Sequence, residues 1–472
     1  MVFSSLLFLC LFMPIVFILH SVSPNLKIKN SLLLLASLLF YAYGEPSYIL
    51  LMLISVLFNY IFALLIAKYQ KKVFLVLAVI INLGLLGVFK YTGFLLTAIN
   101  SALNITLPVP NIPLPIGISF FTFQALSYVI DVYRKDVPAQ KNYAKLLLYI
   151  SFFPQLIAGP IVRYKDIARE IDERHTDMKS TAFGLRRFIV GLGKKVLISN
   201  SMAVVADFTF ELNSEDLNVL SAWVGALAYL MQIYFDFSGY SDMAIGLGRM
   251  FGFHFKENFN HPYIASTVQD FWRRWHISLS SFFRDYVYIP LGGNRKGKIR
   301  TVLNKIFVFF LTGLWHGANW TFIVWGLFHG FFLLLEEFIP KIKKLPKLIL
   351  HIYTIVTVTV GFVIFRADTL SYAISFTTKM FSGFDFSAEK MSLLIHPLTP
   401  FFIVMFVVAI ICCGPLQKFS TKIRDLQNST KALTRREGII QALTFIAAVV
   451  IFTWCIIRLA GGTYNPFIYF RF

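Results

Sequence analysis

His316 lies in a nearly uncharged run, IFVFFLTGLWHGANWTFIVWGLFHGFFLLL, that extends over residues 306–335. An ionisable side chain facing lipid is expensive, so a histidine at that depth is expected to line a cavity or a substrate path. No Ser or Cys nucleophile stands in this run. A lone neutral imidazole suits general-base catalysis, taking the proton of an incoming hydroxyl while that oxygen attacks an activated acyl carbon. A thioester supplies such a carbon without a metal, and fixed N–H donors in a dry cavity favour the oxyanion. Asn319 and the indole N–H groups of Trp315 and Trp320 are the candidate donors, and all three are expected to line the site.

A second group is QDFWRRWHISLSSFFRDYVYIPLGGNRKGKIR, residues 269–300. His276 stands there among Arg273, Arg274, Arg284 and Asp285, with Trp272, Trp275, Phe282 and Phe283 interleaved. The stretch is too charged to span a membrane and too aromatic for a solvated loop, so an amphipathic interfacial helix is expected. At about 100° per residue, Trp272, His276 and Phe283 share one face of such a helix. The structural reading is an interface helix with aromatic anchors and snorkelling arginines. Beside a cavity, His276 is a second candidate site residue, with Trp272 lining the path.

The third group, QIYFDFSGYSDMAIGLGRMFGF, places Asp236 and Asp242 in apolar context. Buried carboxylates must find donors or a cation, and Arg249, Lys256 or the arginines of residues 273–284 are the candidates. Asp236, Asp242 and Arg273 are therefore expected to support the cavity wall. His329 falls 13 residues after His316, faces elsewhere on a continuous helix and is expected to pack. No pair among His276, His316, Asp236 and Asp242 has compact metal-ligand spacing, so no metal is expected. GxSxG, Walker and dinucleotide motifs are absent in the required context.

The elements that must carry these groups follow from charge and hydropathy. Arg295, Lys296, Lys298, Arg300 and Lys305 crowd the start of the His316 run. Ten residues from there rise roughly 15 Å, about half of a ~30 Å hydrocarbon core. Gly317, Ala318 and Asn319 then suit a break, and an apolar segment returns towards Lys341, Lys343, Lys344 and Lys347. With 57% apolar and 14% charged residues in 472, and a mean hydropathy of +0.68, the chain reads as a polytopic helical membrane protein. The formal charge of +20 sits in short clusters between apolar runs, which indicates topology and no nucleic-acid partner. The clusters Lys68/Lys71/Lys72, Arg186/Arg187/Lys194/Lys195, Arg295 to Lys305, Lys341 to Lys347 and Lys418 to Arg436 read as cytoplasmic. The Glu211/Glu215/Asp216 connection reads as outside. About ten to twelve transmembrane or re-entrant helices are expected, including one over residues 144–162. The four cysteines lie in apolar runs and suggest neither a disulfide framework nor a metal site. One integral domain is expected over 1–472, with N-terminal helices at 1–110, a motif-bearing core at 115–335 and C-terminal helices at 348–472.

Together the three motifs resemble the membrane-bound O-acyltransferase (MBOAT) family, in its alginate O-acetyltransferase-like bacterial branch. GISFFTFQALSYVIDVYR (117–134), SFFPQLIAGPIVRY (151–164) and the ending NPFIYFRF extend the resemblance over most of the chain. The resemblance implies helices ringed around a central tunnel that joins a cytoplasmic donor opening to an outer acceptor opening. It places the family's catalytic histidine on His316 and its second, motif-associated histidine on His276. It implies acetyl-CoA, or another acyl thioester, as donor substrate, with no permanently bound cofactor. It also implies a polysaccharide acceptor, an exported or membrane-anchored acetyltransferase partner, and a multi-pass location in the bacterial cytoplasmic membrane. Two alternatives stand beside this expectation: D-alanyl or other acyl transfer to teichoic acid from a carrier-protein thioester, and transport of a polysaccharide or lipid-linked sugar along the same buried polar path.

Overall fold

The structure is a computed structural model that describes every residue except 158, 415, 417–433, 463, 466, 467 and 469–472. Lys418 and most of the last basic cluster therefore lie outside the described residues. Among those described, every regular element is helical. Eight helices are long and apolar enough to cross a membrane, and the pair Ala388–Ile395 and Pro400–Cys413, bent by 69°, makes a ninth candidate. Shorter apolar helices, Phe8–Val22 and Ile118–Tyr133, stand beside them. The chain is a multi-pass membrane protein.

Contacts divide the described residues into two compact units, one of residues 1–188 and 243–256, the other of 189–242 and 257–472. In the first, Leu26–Gly44, Ile49–Tyr69 and Lys72–Leu103 are long apolar helices. Asn25 caps the first of these by accepting from the Ile28 N–H at 3.0 Å. Asn59 and Asn82 exchange amide hydrogen bonds of 3.1 and 2.8 Å between the other two. Buried amides among apolar side chains satisfy each other in this way and fix the pairing of the two helices. The expected helix over 144–162 is instead broken into Tyr143–Ser151 and Phe153–Leu156. Pro154, which lacks an N–H, opens the second piece, and the Phe153 N–H donates to Ser37 Oγ at 3.1 Å.

The second unit holds the His316 hairpin. Its first arm, Lys298–His316, ends where the small residues begin; Asn319 caps the returning arm, Trp320–Phe338, through the Thr321 N–H. The break thus falls on the predicted Gly317–Asn319 turn. Two glycines let the arms close on one another. A β-carbon on Gly313 would lie 2.2 Å from the carbonyl oxygen of Phe322, and one on Gly326 would lie 2.2 Å from that of Phe309. Lys305 pairs with Glu337 across the arms and marks the level where charge ends. His316 stands 11 residues further on, roughly 16 Å along the helix.

Candidate active site

His316 is 6% exposed and sits one turn after Gly313, so the backbone approach there delivers its ring to the core of the unit. The ring packs edge-on against Trp325 and Phe365, at centroid distances of 5.1 and 5.2 Å. Trp315 lies 4.8 Å away on the same helix. A cavity of about 10 Å³, the room of roughly one water, lies beside His316 and is walled by Trp275, Trp325, Phe365 and Ile468 among others.

His276 comes to within 6.5 Å of His316, ring centroid to centroid, and 5.9 Å of Trp315. The continuous amphipathic helix expected around it does not form. The chain makes two short helices, Val268–Arg274 and Ile277–Phe283, with His276 at the break in the left-handed region at φ +42°. Asn258 is the physical reason. Its carbonyl accepts the Ile277 N–H at 2.9 Å, and its side-chain oxygen accepts from the Ser278 N–H at 3.1 Å and the Ser278 hydroxyl at 2.8 Å. These bonds hold open a turn that a non-glycine residue adopts only at a cost of about 1–3 kcal/mol.

The same clamp sets the imidazole. Because Asn258 Oδ1 accepts from a backbone N–H, His276 Nδ1, 3.2 Å from it, must be the protonated nitrogen. Nε2 then carries the lone pair, and it has no hydrogen-bond partner among the described residues. His276 is fully buried, and a ring withdrawn from water is held in its neutral form.

Glu336 aligns this segment from the returning arm. Its carboxylate accepts from the N–H groups of Val268 and Gln269 at 2.6 and 3.1 Å, capping the helix that leads to His276. Trp272 of that helix packs against Trp325 at 5.7 Å.

The carboxylates find other cations than those expected. Lys195 pairs with Asp236 at 2.6 Å, both buried, and Lys194 pairs with Asp242 at 2.6 Å. Lys194 and Lys195 are thus internal partners, although their sequence cluster reads as a cytoplasmic loop marker. They open a π-helical turn, Lys194–Ser199, inside a longer helical stretch. Gly239 permits the approach, since a β-carbon there would lie 2.8 Å from the Gly191 carbonyl oxygen. Asp236 Oδ2 also accepts the Ile468 N–H at 2.9 Å, which ties a residue of the cavity wall to the ion pair. Among the described residues, Arg273 makes no ion pair with Asp236 or Asp242. It lines a larger hollow of about 270 Å³, together with Trp272, Arg284, Lys305 and Thr312. That hollow runs from the basic end of the hairpin to Thr312, one turn before His316.

Of the expected site residues, His316, His276, Trp315 and Trp272 come together. Trp320 is 53% exposed at the start of the returning arm, outside this group. The Asn319 side chain caps the returning arm with its oxygen and donates one of its two amide N–H groups to the Asp368 carbonyl at 3.0 Å. His329 is fully buried among Trp325, Trp272 and Phe271. Trp325, Asn258, Lys195, Glu336 and Ile468 are missed by sequence reading. For Lys195 and Glu336 a signal exists, because a charge inside an apolar run marks them as it marks His316.

Comparison with known proteins bears on the chemistry. The sequence profile of MBOAT, the membrane-bound O-acyltransferase family, matches residues 134–376, which include both histidines. The chain is 40% identical to the probable alginate O-acetylase AlgI of Azotobacter vinelandii, over 503 residues that cover both chains fully. It is 38% identical to the peptidoglycan O-acetyltransferase of Helicobacter pylori, covering 79% of this chain and 78% of that one. The teichoic acid D-alanyltransferase of Bacillus subtilis is 31% identical over 49% of this chain and 61% of its own length.

Proposed function

Because the chain belongs to the membrane-bound O-acyltransferase family and is therefore an O-acyltransferase, we propose that it moves an acetyl group from cytoplasmic acetyl-CoA across the membrane to hydroxyls of an exported or cell-wall polysaccharide. The observation that carries this reading is the pair of buried imidazoles 6.5 Å apart, together with a hollow that extends from the basic end of the hairpin to Thr312, one turn before His316. The donor's phosphates meet Arg273, Arg284 and Lys305 at the mouth, and its thioester extends past Trp272 and Thr312.

His316 acts as general base. It takes the proton of the acceptor hydroxyl as that oxygen bonds to the thioester carbon. The tetrahedral intermediate then collapses, the C–S bond breaks, and the imidazolium returns its proton to the departing thiolate. The indole N–H of Trp325, buried beside His316 and without an acceptor among the described residues, acts as oxyanion donor. Trp315 and Trp272 line the site, and Asp236, Asp242 and their lysines support it. His276 accepts a hydrogen bond at Nε2 and orients the acceptor. A cavity of about 10 Å³ is smaller than the reacting groups, so Ile468 and the surrounding rings move aside when substrates enter. An exported acetyltransferase partner receives or directs the acetyl group on the outer side.

His316→Gln tests the assignment. The variant is expected to insert at wild-type levels and to lose acetylation of the polysaccharide by roughly 10²–10⁴-fold. Wild-type acetate release from the polymer at equal membrane abundance would remove His316 from the chemistry. Acyl labelling that requires a carrier protein and ignores acetyl-CoA would replace the donor.

A further inference from the structure

A groove of about 700 Å³ on the second unit is separate from the histidines and plays no part in the reaction above. Its volume falls in the range of roughly 300–1,000 Å³ that ligand sites occupy. Lys347, Leu348, His351 and Ile355 line one side from a single face of the helix Lys347–Arg366. Leu227 and Met231 of Val219–Met250 and Ile410 of Pro400–Cys413 line the other.

The polarity is one-sided. Lys347 and His351 stand at one end, no carboxylate among the described residues lines the groove, and from Ile355, about 12 Å along the helix, the walls are apolar. His351 Nδ1 donates to the Ala265 carbonyl at 3.1 Å, which holds its ring at this end. Leu348 is 70% exposed, an arrangement suited to contact with acyl chains. The Lys341 to Lys347 cluster places the basic end at the cytoplasmic surface by the positive-inside rule. That leaflet carries anionic lipid, which basic residues at the boundary attract.

We propose that this groove is a specific site for one anionic phospholipid of the cytoplasmic leaflet, its phosphate on Lys347 and one acyl chain along Ile355, Met231 and Ile410. The floor of the groove includes Tyr263 and Ile264, whose turn leads into the two helices that carry His276. A bound lipid therefore braces the segment on which the second histidine depends.

Purified full-length protein in mild detergent, titrated with phosphatidylglycerol or phosphatidylethanolamine and weighed by native mass spectrometry, tests this. Wild type is expected to hold one phosphatidylglycerol in preference to phosphatidylethanolamine. Lys347→Gln should lower phosphatidylglycerol occupancy roughly fivefold, the effect of one basic group at the surface. Lys347→Arg should restore it, and Ile355→Trp, which fills the apolar part, should abolish it. Lys298→Gln, which does not line the groove, should behave as wild type. Equal retention of both lipids would overturn the proposal, as would retention unchanged in Lys347→Gln and Ile355→Trp. A groove filled by a second copy, seen as a dimer that Ile355→Trp dissociates with no change in bound lipid, would overturn it too.

Discussion

Replacing Gly313 by alanine probes how tightly the histidine's position depends on the hairpin. The added β-carbon meets the Phe322 carbonyl oxygen at 2.2 Å, whereas ordinary van der Waals contact begins near 3.4 Å. The obstacle is backbone on both sides, so no side chain can swing away. The arms must separate locally by the difference, about 1.2 Å, within one turn of His316. A displacement of about 1 Å at reacting groups costs on the order of 10²-fold in rate. We expect Gly313→Ala to insert in the membrane and to lower polysaccharide acetylation by roughly that factor. The assay is acetate released from the polymer by mild base, normalised to protein in the membrane. Gly330→Ala, whose β-carbon meets only the Phe309 side chain at 3.2 Å, should lose far less, and Gly84→Ala, with nothing within 4 Å, should be silent. Full activity in Gly313→Ala, or equal damage in all three, would refute the reasoning.

Three further outcomes follow from the site. Asn258→Ala removes the acceptor that holds His276 Nδ1 and Ser278, and its activity should fall about as far as that of His276→Gln, by roughly 10–100-fold. Asn258→Asp, which keeps an acceptor, should retain more activity; no loss in Asn258→Ala would dissociate the turn from catalysis. Lys195→Met leaves the Asp236 carboxylate buried without its cation and should destabilise the protein by about 3–5 kcal/mol, read as a lowered thermal midpoint in detergent. Lys195→Met with Asp236→Asn should recover most of that loss, and an additive pair would argue against their coupling. Glu336→Leu strips the acceptor from two N–H groups at the helix leading to His276 and should lower turnover more than thermal stability; the reverse order would make Glu336 structural only.

The helical class, the membrane setting and the hairpin break are legible in the chain because each arises locally. Apolar runs report themselves through composition, Lys and Arg mark their ends, and Gly317 to Asn319 interrupt the run at the point where the helix stops. His316 is legible for the same reason, since a charge-bearing ring in an apolar stretch stands out without any knowledge of its neighbours. Tertiary structure alone decided the rest. One helix at Trp272 to Phe283 is a sound reading of periodicity, yet Asn258, well outside that stretch, opens it into two and turns His276 into the core. Asp236 needs a cation, and sequence supplies several basic residues; packing selected Lys195 and added a backbone N–H from Ile468, 232 residues away. Periodicity and hydropathy register what each residue prefers along its own helix. The choice of partner depends on which backbones can approach, and that is set by contacts between segments that no local pattern encodes.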